Sequence, residues 1–201
     1  MKRYLFVTVL ILGVLSSGAQ DFFSVGPRIG YNANTLSGNR DSITASIQNS
    51  FQFGAFLRLG NKIYLQPEIS YQVVSGNMQK TTDSYLFSQQ YKLKTIKVPA
   101  LIGVKLLNNS IMNFRIMAGP AFTWNINKNL SPSIVNDLWP IRSTDDLKNS
   151  FWSLQAGAGI DVLFLSLDVR YEWGIENMYQ GKSDFELKNN IFNVSLGVKF
   201  L

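Results

Sequence analysis

Eight times between Phe22 and Phe200 the chain sets apolar residues at every second position against polar ones. A period of two is the signature of a β-strand whose two faces meet different surroundings. The first segment sets Phe23, Val25, Ile29 and Tyr31 against Ser24, Gly26, Arg28, Gly30 and Asn32. The seventh sets Leu165, Leu167, Val169, Tyr171 and Trp173 against Ser166, Asp168, Arg170, Glu172 and Gly174. The others cover residues 51–59, 63–73, 96–105, 113–124, 152–161 and 192–200, and no charged residue falls on the apolar phase of any segment. Helical periodicity is nearly absent, so the chain is all-β.

The connections alternate too. Short links near Gly60-Asn61, Asn108-Asn109 and Leu163 join the second segment to the third, the fourth to the fifth and the sixth to the seventh. Long polar stretches, residues 33–50, 75–91, 125–150 and 175–189, join the rest and have loop-like composition. Tight turns at one end and long loops at the other are the pattern of an outer-membrane barrel, with turns in the periplasm and loops outside. The expected fold is an eight-stranded antiparallel up-and-down transmembrane β-barrel, with both chain ends on the periplasmic side.

A soluble barrel of the lipocalin kind shows the same alternation with its apolar face inward. The polar phase discriminates between the two. It holds nine of the fifteen glycines beside long charged side chains. On a solvated exterior glycine only weakens a strand, whereas in a narrow barrel it leaves room for Arg, Lys and Glu. On the apolar phase, aromatics gather at the ends of the segments. Tyr31, Phe51, Tyr71, Trp124, Trp152, Trp173 and Phe192 lie toward the long loops, and Phe23, Phe114 and Phe200 toward the short turns. Two such clusters match the aromatic girdles of a membrane barrel.

With lipid outside, the polar phase encloses Arg28, Arg58, Lys97, Lys105, Arg115, Arg170 and Lys199 with Glu68, Asp161, Asp168 and Glu172. Charges withdrawn from water need partners, so these residues should form a structural lumen network. A gated anion path, or acid–base work by Asp168 and Glu172, is the alternative use. Eight strands leave an interior just wide enough for side chains, which favours the plug and predicts negligible conductance. A charge at Leu167 should be costly in lipid, and a polar swap at Ser166 mild.

Composition agrees with two unlike faces. The 201 residues are 46% hydrophobic but only 16% charged, against about 25% in an ordinary soluble domain. The mean hydropathy is still only +0.03. The chain contains no His and no Cys, which removes disulfides, imidazole or thiolate metal sites and His-based catalysis. No catalytic residue, cofactor or metal ligand is expected. Asp137, Asp145 and Asp146 share a loop but lack the spaced acidic pattern of a calcium site.

Residues 1–19 have the form of a cleavable signal peptide. Lys2 and Arg3 precede the apolar run Tyr4 to Leu15, and Ser16-Ser17-Gly18-Ala19 supplies small residues for cleavage after Ala19. The run is too short for a spanning helix. The mature barrel domain is then residues 20–201. Loss of Lys2 and Arg3 leaves 17 basic against 13 acidic residues, a net +4. Without a clustered basic stripe, no nucleic-acid partner is expected.

Several short motifs follow one another along the strands: Leu65-Gln66-Pro67-Glu68, Lys97-Val98-Pro99-Ala100, Ala118-Gly119-Pro120, Gly157-Ala158-Gly159, Asp168-Val169-Arg170-Tyr171 with Gly174, and Leu196-Gly197-Val198-Lys199-Phe200. In this order they resemble the PorT-like outer-membrane β-barrel proteins of Bacteroidetes, within the eight-stranded OmpA/OmpX-like barrels. One departure is Leu201 after Phe200, where the family usually ends on an aromatic residue. The resemblance implies a bacterial outer-membrane location, no cofactor, and handling by the barrel-assembly machinery during biogenesis. Some such relatives serve a secretion system that exports gliding and protease cargo, so envelope or secretion-complex proteins are possible partners. Three functions remain open: a structural or interaction barrel acting through loops such as 125–150, with Trp139 and Pro140; a secretion accessory; and a small-solute porin. An eight-strand barrel can be stable in outer-membrane lipid as a monomer.

Overall fold

The period-two segments pair each with the next and the last with the first. The computed structural model describes residues 22–38, 43–45, 48–82, 85–109, 111–131, 144–181 and 187–200. Its strands are β1 (Phe23–Gly38), β2 (Ile43–Ala45), β3 (Gln48–Leu59), β4 (Ile63–Thr82), β5 (Tyr85–Asn108), β6 (Met112–Ser131), β7 (Ser150–Val162), β8 (Leu165–Gly174) and β9 (Leu187–Val198). Antiparallel ladders run β1–β3–β4–β5–β6–β7–β8–β9 and return from β9 to β1. β2 pairs only with the outer part of β4, Ile43↔Lys80 to Ala45↔Met78, and stands outside the ring. The result is the closed eight-stranded antiparallel barrel that the alternation predicts. Closure removes both sheet edges, the condition for crossing lipid with strands.

The short turns lie together at one end. Gly60, with φ +118°, lets β3 turn into β4, and Leu163 turns β7 into β8 at φ 52°. The ends of the described barrel are fastened there as well. The Gly60 amide donates to the Phe22 carbonyl at 2.7 Å, and the Lys199 amide to the Phe164 carbonyl at 2.7 Å.

At the other end the strands outrun the sequence reading. Residues 75–91 are not a loop: β4 and β5 continue for eight rungs past Val74↔Leu93, from Ser75↔Lys92 to Thr82↔Tyr85. β1 reaches Gly38, and β6 reaches Ser131, which pairs with Gln90. Apolar and polar residues do not alternate over 75–91, so hydropathy does not record the backbone pairing there. The proposed signal peptide, Asp137, Trp139, Pro140 and Leu201 fall outside the described residues.

The faces are inverted relative to a soluble protein. Ile29 (63% exposed), Phe51 (76%), Ile102 (62%) and Leu167 point outward, while Arg58, Arg115, Asp161 and Asp168 are buried. A lipocalin-like barrel would have the opposite arrangement. From Ile63 to Val73 on β4 the outward positions form a band which, at about 3.3 Å per residue and ~45° tilt, is roughly 25 Å tall and matches a hydrocarbon core. Its upper border is ringed by paired aromatics: Tyr31–Phe51 (5.5 Å between centroids), Phe53–Tyr71 (5.3 Å), Phe122–Trp152 (5.0 Å) and Tyr171–Trp173 (4.9 Å).

Candidate functional site: the lumen

Every second residue of each stave points inward, so the polar phases of eight strands converge on one axis. Toward the short-turn end they form a continuous ionic network. Glu68 on β4 receives Arg28 Nη1 at 2.6 Å and, from the opposite wall, Arg170 Nη1 and Nη2 at 2.9 and 2.6 Å. Asp168 on β8 pairs with Arg28 Nη2 (2.5 Å), Arg170 Nη2 (2.7 Å) and, very closely, Arg115 Nη2. Asp161 on β7 meets Arg58 Nη1 across the lumen (2.7 Å), Arg115 Nη2 (3.0 Å) and Lys199 Nζ (3.6 Å). Gln66 links the groups, accepting from Arg58 Nε at 2.7 Å and donating to Glu68 Oε1 at 2.6 Å. Higher up, Glu172 holds Lys97 Nζ (2.7 Å), Gln155 Nε2 (2.8 Å) and Ser153 Oγ (2.8 Å). Bridges between opposing staves fill the cross-section, as the resolved partners of a buried charge must.

Above this layer the lining turns to amides. Asn32 donates to Gln52 (3.2 Å) and Gln72 (3.0 Å) and accepts from Asn193 (2.6 Å). A cavity of about 10 Å³ lies between the two layers, bordered by Asn32, Ser70, Lys97, Arg170 and Glu172. That volume accommodates about one water molecule. At the outer mouth Val74, Leu93, Phe151 and Ile191 are buried, as are Leu147, Met178 and Tyr179 from the connections. Leu147 and Tyr179 form a bridge, and the Lys148 amide donates to the Met178 carbonyl at 2.9 Å.

Nine of the eleven charged residues singled out from the sequence are buried in the lumen: Arg28, Arg58, Glu68, Lys97, Arg115, Asp161, Asp168, Arg170 and Glu172. Lys199 is partly exposed at the short-turn end, and Lys105 is half-buried there, beside the irregularity at Leu106. Ser166 is not a mild position. It is fully buried and accepts from Arg115 Nη2 at 2.6 Å, so a larger polar residue would displace the guanidinium. Asp168 and Glu172 are each engaged by cations, which suits a structural role better than proton transfer.

The sequence reading missed Phe56, whose ring lies 4.8 Å from Arg28 Cζ and 5.6 Å from Arg58 Cζ. Tyr64 stacks on Arg58 at 5.0 Å. Parity alone places both inside, since Phe56 lies between Gly54 and Arg58 on the inward phase. Such contacts add cation–π attraction to guanidiniums that water cannot reach. Glycine makes the room. A Cβ on Gly159 would sit 2.7 Å from Arg115 Cζ and collide with Asp168. Gly159→Ala should destabilise the barrel by about 1–3 kcal/mol through overpacking, measured as a lower urea midpoint for refolding into vesicles. Among the described residues no cluster of three or more His, Cys, Asp or Glu could hold a metal ion.

A family model described as outer membrane protein beta-barrel domain matches residues 18–180. Among solved structures, OprG from Pseudomonas aeruginosa is 10% identical with a TM-score of 0.55, over 89% of this chain and 95% of that one. Neisserial surface protein A is 13% identical with a TM-score of 0.49, over 89% and 97%. Ail of Yersinia pestis, solved with a heparin analogue, is 14% identical with a TM-score of 0.47, over 89% and 99%. At these identities the likeness concerns the fold alone. No curated protein matches the chain.

Proposed function

The chain belongs to the outer membrane protein beta-barrel domain family, and from that premise we propose that it is a non-enzymatic barrel working through its outer rim. The observation that carries this reading is the contrast between the two ends of β4 and β5. In the membrane their inward Gln66, Glu68 and Lys97 are tied into the ionic network, while beyond it the two strands run eight further rungs as a hairpin. At about 3.3 Å per rung that projection is roughly 26 Å long before tilt. β2 on one side and the end of β6 on the other widen it into a sheet. A surface of this size, standing at the exterior, suits protein contact better than solute passage.

A photo-crosslinker placed in the hairpin of the full-length protein in cells should capture a discrete partner, and removal of residues 77–88 should abolish capture while leaving the cold-detergent-resistant barrel intact. Capture that persists at an unrelated rim position, or none at all, would defeat the reading. A second reading, accessory component of a PorT-like secretion complex in Bacteroidetes, is supported by the proline- and glycine-bearing motifs quoted above. It requires stoichiometric companions on mild purification from the membrane. The porin alternative requires an open path. Purified protein in planar bilayers should show negligible steady conductance, and large stable openings would reinstate it.

A further inference from the structure

The outward face carries a furrow that ends at two lysines. Outward residues of neighbouring strands line up in rows along the ladders. One row runs Leu167, Leu196, Ile29, Phe53, Tyr71 and Ile96, from β8 through β9, β1, β3 and β4 to β5. The next runs Val169, Val194, Tyr31 and Phe51 and then, one rung beyond Gln52↔Gln72, Val73 with its partner Lys94. Strands tilted by ~45° make each row climb the wall. These two rise from near the short turn that opens β8 to the upper border of the apolar band. Between their lower halves, from Leu167 to Phe51, lies an open groove of about 440 Å³ with an almost wholly apolar lining. It crosses three ladders, roughly 14 Å, comparable with the ~15 Å of hydrocarbon in one leaflet.

The upper end of the furrow is charged. Lys92 and Lys94 are both exposed on the outward face of β5, opposite Ser75 and Val73. Among the described residues neither has a carboxylate partner, whereas Lys97 inside the barrel is held by Glu172. At the same border β1 and β3 present the uncharged Thr35 and Asn49, so the positive charge is local to this stretch of wall. Two ladder spacings, about 10 Å, separate Lys94 from Phe51. Val73 alone lies between them in the row, and a lysine stem leaning over it brings the ammonium to the head of the groove. We propose that the furrow binds one outer-leaflet lipid with a phosphate-bearing head, the phosphate on Lys92 and Lys94 and one acyl chain lying down the groove toward Leu167. Room for the chain and charge for the head are supplied by the same two rows. Within hydrocarbon a groove gains nothing by excluding water, so packing holds the chain and the lysines select the head. This goes beyond a contact role of the outer rim and leaves the lumen network as it is.

The test folds the protein into phosphatidylcholine vesicles holding a minority of dioleoyl phosphatidic acid or of dioleoylglycerol, which has the same chains and no phosphate. Barrels are then transferred to mild detergent and weighed intact by native mass spectrometry. The expected result is one phosphatidic acid retained per barrel and no dioleoylglycerol. Lys92→Gln/Lys94→Gln should weaken retention at least ~10-fold, since each lysine near an anionic head contributes about fivefold. Val194→Trp, which fills the groove and leaves the lysines in place, should weaken it at least ~5-fold through the loss of about ten close contacts. Lys62→Gln, exposed at the short-turn end, should change nothing. Each variant must first show wild-type heat-modifiable mobility, and Leu196→Trp replaces Val194→Trp if that one fails to fold. A diazirine near the end of the acyl chain should label Ile29 and Leu196 in preference to Ile102 and Ile116, which are exposed on β5 and β6. Equal retention of the two lipids, a lysine effect without a groove effect, uniform labelling of the outward face, or a protein dimer in place of a lipid-bound monomer would each overturn the proposal.

Discussion

Asp168→Asn is expected to lower the stability of the barrel by about 3–5 kcal/mol, the usual cost of removing one partner from a buried ionic cluster. The shape of the side chain is kept and only the charge is lost. Asp168 is fully buried and serves Arg28, Arg115 and Arg170 together. Without it three guanidiniums share the lumen with fewer carboxylates, and water cannot take its place. The measurement is the urea midpoint for folding into phospholipid vesicles, with the temperature at which the compact gel band is lost as a second readout. Adding Arg115→Met to Asp168→Asn should recover part of the loss, because it removes one of the stranded cations, and a double-mutant cycle would show strong coupling. Additive losses would mean that the two groups do not act as a unit.

The adjacent residue tests the other face. Val169 is exposed midway along β8, between Leu165 and Trp173, and pairs with Val194. Val169→Arg puts a charge into hydrocarbon near the midplane, where the cost is about 2–4 kcal/mol. The same change at Ile175, exposed beyond Trp173 at the outer end, should cost less than about 1 kcal/mol because interfacial depth lets the side chain reach water. Thicker bilayers should enlarge the Val169 effect and leave the Ile175 effect unchanged. If Val169→Arg proved harmless in vesicles, the outward face would not be a lipid face.

Residues 168 and 169 differ by one position and by the medium they meet, and that much is written in the chain. Asp168, Arg170 and Glu172 alternate with Val169, Tyr171 and Trp173, so the strand, its two faces and the sign of each face follow from period two. The same rule places Phe56 and Tyr64 in the lumen, although their apolar rings conceal it. From Ser75 to Tyr91 apolar and polar residues do not alternate, which is why the segment resembles a loop although its backbone pairs as a hairpin.

By itself the sequence determined an all-β barrel of eight staves with lipid outside and charge within, because hydropathy at each residue is a local record of the medium it faces. Only the tertiary structure decided that Arg58 meets Asp161 and Arg170 meets Glu68 across the lumen. Only there do Pro67, Pro99 and Pro120 fall beside one another in three consecutive strands. Those juxtapositions depend on the relative register of the staves and on how the sheet closes. Register and closure are properties of the whole ring, and no single strand carries them in its own pattern.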